Sequence, residues 1–288
     1  MASELVRQLI DAGVHFGHRA SRWNPKMSPY IFGKRNTIHI IDIRETVKGL
    51  LRAKRFVSQL VANNQDVLFV GTKRQARLHV QQQAQRVGMP YVIERWLGGT
   101  LSNFRTIRSR LARLDELEAA EADGTALEYS KKMIAMRSRE LRKIKRNLDG
   151  IRTMTKLPAA LIIIDVHREK NAVHEAKKLG IPTVCLIDTD SDPDFADVPI
   201  PGNDDAIRAI ETVLTHMADA VEEGKKGRVT QVTVEGQSGQ RRGGRRGGRD
   251  NAGDGGSDGD ADARARATRP SREDAGVAAT VPTDAPAR

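Results

Sequence analysis

The sequence predicts an α/β protein: a doubly wound parallel sheet with an inserted coiled-coil helical hairpin and a disordered C-terminal tail. Three observations predict it. Continuous apolar runs such as Val67-Leu68-Phe69-Val70 and Ala160-Leu161-Ile162-Ile163-Ile164 alternate with helical stretches, as strands buried on both faces of a parallel sheet do. Between residues 95 and 154, apolar residues recur at alternating threes and fours, the seam of a coiled coil. From 226 to 288 the chain turns to Gly, Asp, Ala, Pro and Arg with almost no large apolar residues, too little burial to offset the entropy of ordering. Residues 1–225 are therefore expected to form the α/β domain, with 95–154 as its insertion.

Taken in order, Leu5, Val6, Leu9 and Ile10 share one face of a short helix that Ser3 can cap and Gly13 ends. A polar loop, Arg19 to Lys26, leads to two short strands, Tyr30-Ile31-Phe32 and Thr37 to Ile41, around the turn Gly33-Lys34-Arg35-Asn36. Val47, Leu50, Leu51, Val57, Leu60 and Val61 space a helix over 44–63. After the strand at 67–70, Gly71-Thr72-Lys73 opens a helix to about Val87, and Tyr91-Val92-Ile93 forms another strand. Beyond the insertion come the strand from Ala160, a helix over 170–179 stopped by Gly180-Ile181-Pro182, and the strand Thr183 to Asp188. Val198-Pro199-Ile200-Pro201 reads as an edge strand, where proline is tolerated, and a helix over 205–221 closes the domain.

The insertion opens on Arg95-Trp96-Leu97-Gly98-Gly99-Thr100-Leu101-Ser102-Asn103-Phe104. Ile107, Leu111, Leu114 and Leu117 mark the first arm, and Ile134, Leu141, Ile144, Leu148 and Ile151 the second, with a break at Ala122-Asp123-Gly124-Thr125. Arms of roughly 20 residues project about 30 Å. Such a projection is expected to cover no core of its own and to reach a partner. From Glu128 to Lys156 ten Lys and Arg face only Glu128, Glu140 and Asp149. Folding the arms antiparallel places Arg105, Arg108, Arg110 and Arg113 beside the basic end, while Asp115, Glu116, Glu118, Glu121 and Asp123 gather at the tip. A cationic base of this kind suits a polyanion better than a merely solvated face, and Arg137, Arg142, Lys145 and Arg146 are its expected RNA contacts.

The 288 residues carry a formal net charge of +11, the footprint of a nucleic-acid binder. Those from Gly224 onward hold 13 Lys and Arg against 9 Asp and Glu, so most of the excess lies in the folded part. Arg241 to Arg249 alternates arginine and glycine pairs, as in tails that bind RNA without sequence preference, or in plain solubilising linkers. No apolar run approaches the roughly 18 residues needed to span a bilayer. The start, Met1-Ala2-Ser3-Glu4, lacks the basic and apolar segments of a secretory signal. Cys185, the single cysteine, excludes an internal disulfide and reads as a core thiol. A cytoplasmic protein is expected.

Enzyme chemistry finds little support. Gly71-Thr72-Lys73 follows a strand end where α/β proteins bind ligands, and with Arg74 it would attract phosphate. The full phosphate-loop pattern and any Gly-x-Gly-x-x-Gly are absent, which favours an RNA phosphate over a nucleotide. No serine lies in a nucleophile elbow. His18 with Asp188 or Asp204 could hold a divalent cation, although helix and turn capping suits the aspartates better, since no full ligand set is visible. No cofactor is required by the pattern. Arg22, Trp23, Lys26, Arg35 and His39 form a second candidate RNA surface, with Trp23 either stacking on a base or covering a small satellite core.

Several segments carry a resemblance. Ala12-Gly13-Val14-His15-Phe16-Gly17-His18, Arg22-Trp23-Asn24-Pro25-Lys26-Met27 and Ile38-His39-Ile40-Ile41-Asp42 come first, followed by Phe69-Val70-Gly71-Thr72-Lys73, Arg95 to Leu101 and Ile200 to Ile207. Together they resemble the bacterial small-subunit ribosomal protein S-two family over residues 1 to about 225; the tail lies outside the shared pattern. The resemblance implies a flavodoxin-like domain with a protruding coiled-coil hairpin and no catalytic activity or small-molecule substrate. It further implies a structural part of the small ribosomal subunit, binding ribosomal RNA where head meets body, beside neighbouring proteins. Anchoring of ribosomal protein S-one for messenger RNA binding also comes with it. Carried to this chain, the RNA-contact motifs fall on Arg22, Trp23, Asn24, Lys26, Lys73, Arg74, Arg95, Asn103 and Arg105.

Overall fold

In order along the chain, a computed structural model gives α1 (Ala2–Asp11), β1 (Phe16–Arg19), β2 (Ile31–Arg35), β3 (Ile38–Ile41), α2 (Ile43–Ala62), β4 (Val67–Val70), α3 (Arg77–Arg86) and β5 (Tyr91–Val92). After them come α4 (Phe104–Ala122), α5 (Lys131–Leu148), β6 (Ala160–Ile164), α6 (Lys170–Leu179), β7 (Thr183–Ile187), β8 (Val198–Pro201) and α7 (Ile207–Arg242). The structure describes residues 2–123 and 130–242, with side chains over 4–123 and 130–228.

The five later strands are parallel and run in the order β5-β4-β6-β7-β8. Renumbered within this sheet, that is the 2-1-3-4-5 order of flavodoxin-like folds. Every residue of β4, β6 and β7 is buried. Alternation then sorts them: Val67, Phe69, Ile162, Ile164, Val184 and Leu186 pack with α2, α3 and α7 on one face. Leu68, Val70, Leu161, Ile163, Cys185 and Ile187 face the other way, onto α6 and the base of the insertion. Each large side chain so buried contributes about 1.5–3 kcal/mol. Burial pushes the Cys185 thiol up to about 12, so it is inert. Asp42 caps α2, Ser130 caps α5, and Gly180, at φ +67°, closes α6 in the left-handed conformation that favours glycine.

Four expectations need correction. Gly33 lies inside β2, beside an irregularity in its pairing with β3, and the reversal falls at Asn36, whose φ is +55°. β1, a four-residue strand pairing irregularly with β3, was not anticipated, because it is too short to show an alternation. Helix α7 reaches Arg242, so 226–242 continues it rather than starting the tail; Lys225 donates to the Val87 carbonyl and Arg228 to that of Val61, which ties down the next turn. Residues 243–288 and the 124–129 break lie outside the described residues.

The fourth correction concerns the hairpin. Contacts pair α4 and α5 antiparallel: the Arg108 guanidinium donates to the carbonyl of Met154, while Leu117 and Glu121 lie beside Ile134 and Leu141. Ile107, Leu111, Leu148 and Ile151 are buried in the same cluster as Leu68 and Ile163, so the hairpin base covers one face of the sheet. It is core as well as projection. An antiparallel helix pair is what these contacts establish, rather than a supercoil.

Gly49 decides how closely α2 can approach β8. A Cβ there would stand 2.5 Å from the Pro199 carbonyl oxygen, a backbone atom rather than the end of a flexible side chain. Alanine gains about 1 kcal/mol of helix propensity, but overpacking of this kind costs about 1–3 kcal/mol. Gly49→Ala is therefore expected to lower the urea midpoint, with a net loss of about 1 kcal/mol; a rise would mean that α2 and β8 are not in backbone contact.

Candidate nucleic-acid interface

The strand-end crevice of the parallel sheet is where this class of fold holds a ligand, and here the chain fills it. Glu169, at the start of α6, accepts from the Thr72 amide at 2.9 Å and from its hydroxyl, while Arg168 Nε donates to that hydroxyl at 3.1 Å. A carboxylate of the protein thus occupies the amide that a phosphate would use. Burial raises the Glu169 carboxyl above its ordinary range, with the Thr72 bonds opposing. Lys73 Nζ stands 2.7 Å from Asp204, 2.6 Å from Asp205 and 3.3 Å from Asp165. Burial would discharge this ammonium, but Asp204 above all holds it protonated. The phosphate contact expected at Lys73 is therefore turned inward. Arg74, next in sequence, is exposed.

His18 closes the same cluster. Its Nδ1 lies 2.9 Å from Asp188 and its Nε2 3.2 Å from Asp205. The hydrogen bond to Asp188 raises the imidazole to about 9 against the effect of burial. Asp204, buried with Asp165 and Asp188 for neighbours, is pushed upward, and Lys73 opposes the shift. Ligand atoms of His18, Asp188 and Asp204 lie within 4.8 Å of one another, so the expected set does converge.

The second candidate surface is partly neutralised. Lys26 Nζ sits 2.8 Å from Asp192 and 2.5 Å from Asp194. Asn24 accepts from the Lys26 amide at 3.0 Å, and its own amide donates to the Thr189 carbonyl at 2.8 Å, which pins this loop to the aspartate cluster. Arg22 is exposed, and Trp23, 37% exposed, lies tilted against His39 with centroids 5.1 Å apart. Its ring is neither a satellite core nor wholly free.

Arg95, Asn103 and Arg105 are exposed around the turn that launches α4. Sequence reasoning missed what holds this turn: Glu175 on α6, whose carboxylate accepts from Trp96, Gly99, Leu101 and Ser102. The contact spans more than 70 residues of sequence and has no local pattern.

On the hairpin, the expected division into basic base and acidic tip is blurred by reach. Glu118 binds Lys145 at 3.0 Å and Arg152 at 2.9 Å; Glu94 binds Arg146 at 2.8 Å and Arg77 at 3.1 Å. Long side chains carry these bonds across several turns. Exposed pairs of this kind contribute about 0–1 kcal/mol, so a phosphate can displace them. Arg137 is half-buried. Arg105, Arg110, Arg139, Arg142 and Lys143 are exposed, and none is ion-paired among the described residues. Arg139, Arg142, Lys143 and Arg146 are spaced three, four and seven along α5, hence on one stripe. That spacing was available in the sequence and would have added Arg139 and Lys143.

A family model described as ribosomal protein S2 matches residues 9–224. A Rhodopirellula baltica protein named small ribosomal subunit protein uS2 is 60% identical over 238 residues, 83% of this chain and 92% of the relative. One of the same name from Syntrophobacter fumaroxidans is 51% identical over 226 residues, 78% of this chain and 82% of the relative. A third, uS2c of Rhodomonas salina, is 50% identical over 230 residues, 80% and 95% of the two chains.

Removing Lys73 would leave several carboxylates crowded without their cation, a loss that costs about 3–5 kcal/mol in buried pairs. Asp205 is half exposed, so Lys73→Ala is expected to cost about 3 kcal/mol in urea unfolding. On the expectation that the chain binds RNA, the salt slope of that binding should not change. A stable variant with a flatter slope would mean that this ammonium faces phosphate after all.

Proposed function

The chain belongs to the ribosomal protein S2 family, and from that premise we propose that it is a structural, non-enzymatic constituent of the small ribosomal subunit in the cytoplasm, held there by ribosomal RNA. One observation carries the RNA reading: the stripe Arg139, Arg142, Lys143 and Arg146 on α5, three of its four cations without an acid partner among the described residues. Guanidinium forks suit phosphate oxygens in pairs, and each phosphate neutralised releases counterions. Arg95, Asn103 and Arg105 extend the surface around the hairpin base, and Arg22 with the half-exposed Trp23 offers a stacking position for an unpaired base. Arg74 remains a contact on this reading; Lys73 and Lys26 act within the protein. No described helix is long and apolar enough to cross a membrane.

Neighbouring small-subunit proteins complete the partners. Anchoring of ribosomal protein S-one rests on the family resemblance, and an apolar hollow of about 630 Å³ between α1, α2 and the small antiparallel sheet is the surface that suits it. Phe32, 77% exposed, adjoins Ile10 and Ile40 in this hollow, and a contiguous apolar patch of this kind marks a protein contact.

His18, Asp188 and Asp204 support a second, separate proposal, a divalent cation with one nitrogen and two oxygen ligands. It would supply positive charge where acids outnumber bases and tie β1 to the ends of β7 and β8.

Two outcomes test these readings. Changing Arg139, Arg142 and Lys143 together to Glu should abolish incorporation into small subunits; the neutral Ala triple should flatten the slope of log affinity against log salt by about 2–3. Unchanged incorporation and slope would place the RNA elsewhere. Zinc should raise the melting temperature of the wild type and not of His18→Ala; equal shifts would remove the cation site.

A further inference from the structure

Glu175 stands on α6, outside the proposed RNA surface, yet its carboxylate gathers more of the hairpin's launching turn than any other described group. Oε1 accepts from Trp96 Nε1 at 3.1 Å and from the Gly99 amide at 2.7 Å. Oε2 accepts from the Leu101 amide at 3.0 Å, the Ser102 amide at 3.1 Å and the Ser102 hydroxyl at 3.2 Å. A carboxylate offers about four lone-pair sites, so five donors saturate it. The turn they define holds Gly99 at φ +90° and ends two residues before α4 begins. The proposed contacts Arg95, Asn103 and Arg105 flank it on both sides.

We propose that Glu175 is a positioning residue for RNA binding: by holding residues 96–102 it sets the angle at which the hairpin leaves the domain and the placing of the contacts around its base. The proposal rests on the RNA-binding reading above. Leverage makes the angle matter. Arg139, the outermost contact, stands nine residues or about 14 Å from the base end of α5, so a tilt of 10° at the turn moves it by about 2 Å, enough to break a hydrogen bond. The Glu94–Arg146 pair and the burial of Trp96, Leu101, Ile107 and Leu148 beside Leu68 and Ile163 keep the hairpin attached, but among the described residues only Glu175 bonds the amides of Gly99, Leu101 and Ser102 to the domain. Losing preorganisation weakens binding without removing any contact from the interface. Burial pushes the Glu175 carboxyl up, but the amides of Gly99, Ser102 and Leu101 with the Trp96 indole outweigh it and hold the group below its ordinary range. It is therefore charged wherever the ribosome works.

The test uses the full chain and small-subunit ribosomal RNA. Glu175→Gln should raise hydrogen exchange at the Gly99, Leu101 and Ser102 amides at least tenfold while the amides of β6 and β7 stay protected. RNA affinity should fall about tenfold, or about 1.4 kcal/mol, with the salt slope unchanged because no phosphate contact is removed. Glu175→Asp, one methylene short, should not restore it. Arg105→Ala should cost less in the Glu175→Gln background than in the wild type, since there part of the energy of that contact is spent on ordering the turn. Additive effects would reduce Glu175 to general stability and overturn the proposal, as would wild-type affinity in Glu175→Gln. If Glu175→Gln does not fold, Ser102→Ala, which removes one donor, takes its place in the same comparison. Failure of the wild type to bind RNA in a salt-dependent way would instead overturn the underlying reading.

Discussion

A parallel sheet must be covered on both faces, and that constraint shapes this molecule. α2, α3 and α7 cover one face; α6 alone is too narrow for the other. The hairpin base supplies the missing cover, with Ile107, Leu111, Leu148 and Ile151 packed over Leu68, Val70 and Ile163. What looks like an appendage is therefore rooted in the core. Its outer turns bury no sheet and are free to carry charge, which is why Ile134, Leu141 and Ile144 are only half-buried while Leu148 is fully so. Rigidity at the root and cations beyond it are two consequences of one packing requirement.

The same fold usually keeps an open crevice at its strand ends, and this chain has closed it. Glu169 takes the Thr72 donors, Lys73 is drawn in among Asp165, Asp204 and Asp205, and Asp188 holds His18. A substrate phosphate would have to displace a built-in carboxylate. The acid groups thus serve to knit β1 and the strand ends together, while Arg139, Arg142 and Lys143 on α5 have no acid partner among the described residues.

Much of this was legible in the sequence. Buried strands announced themselves as unbroken apolar runs, because burial on both faces removes the polar alternation. The hairpin showed through its three-four spacing, and its helix α5 through the run of cations. Three kinds of feature did not show. β1 is four residues with an irregular register, too short for periodicity to register. Hairpin ion pairs such as Glu118 with Arg152 depend on side-chain reach across turns. Glu175 acts over more than 70 residues of sequence, and nothing in its local surroundings distinguishes it from a solvated helix acid. The cation candidates His18, Asp188 and Asp204 were named from sequence and do converge, whereas Lys73, named for phosphate, converges on them instead.

The account stands or falls on where α5 points. A reconstruction of the small ribosomal subunit containing this chain, at side-chain detail, measures that directly. It should place Arg139, Arg142 and Lys143 within hydrogen-bonding distance of ribosomal RNA phosphates. Finding that stripe against solvent or protein, with RNA confined to another face, would contradict it.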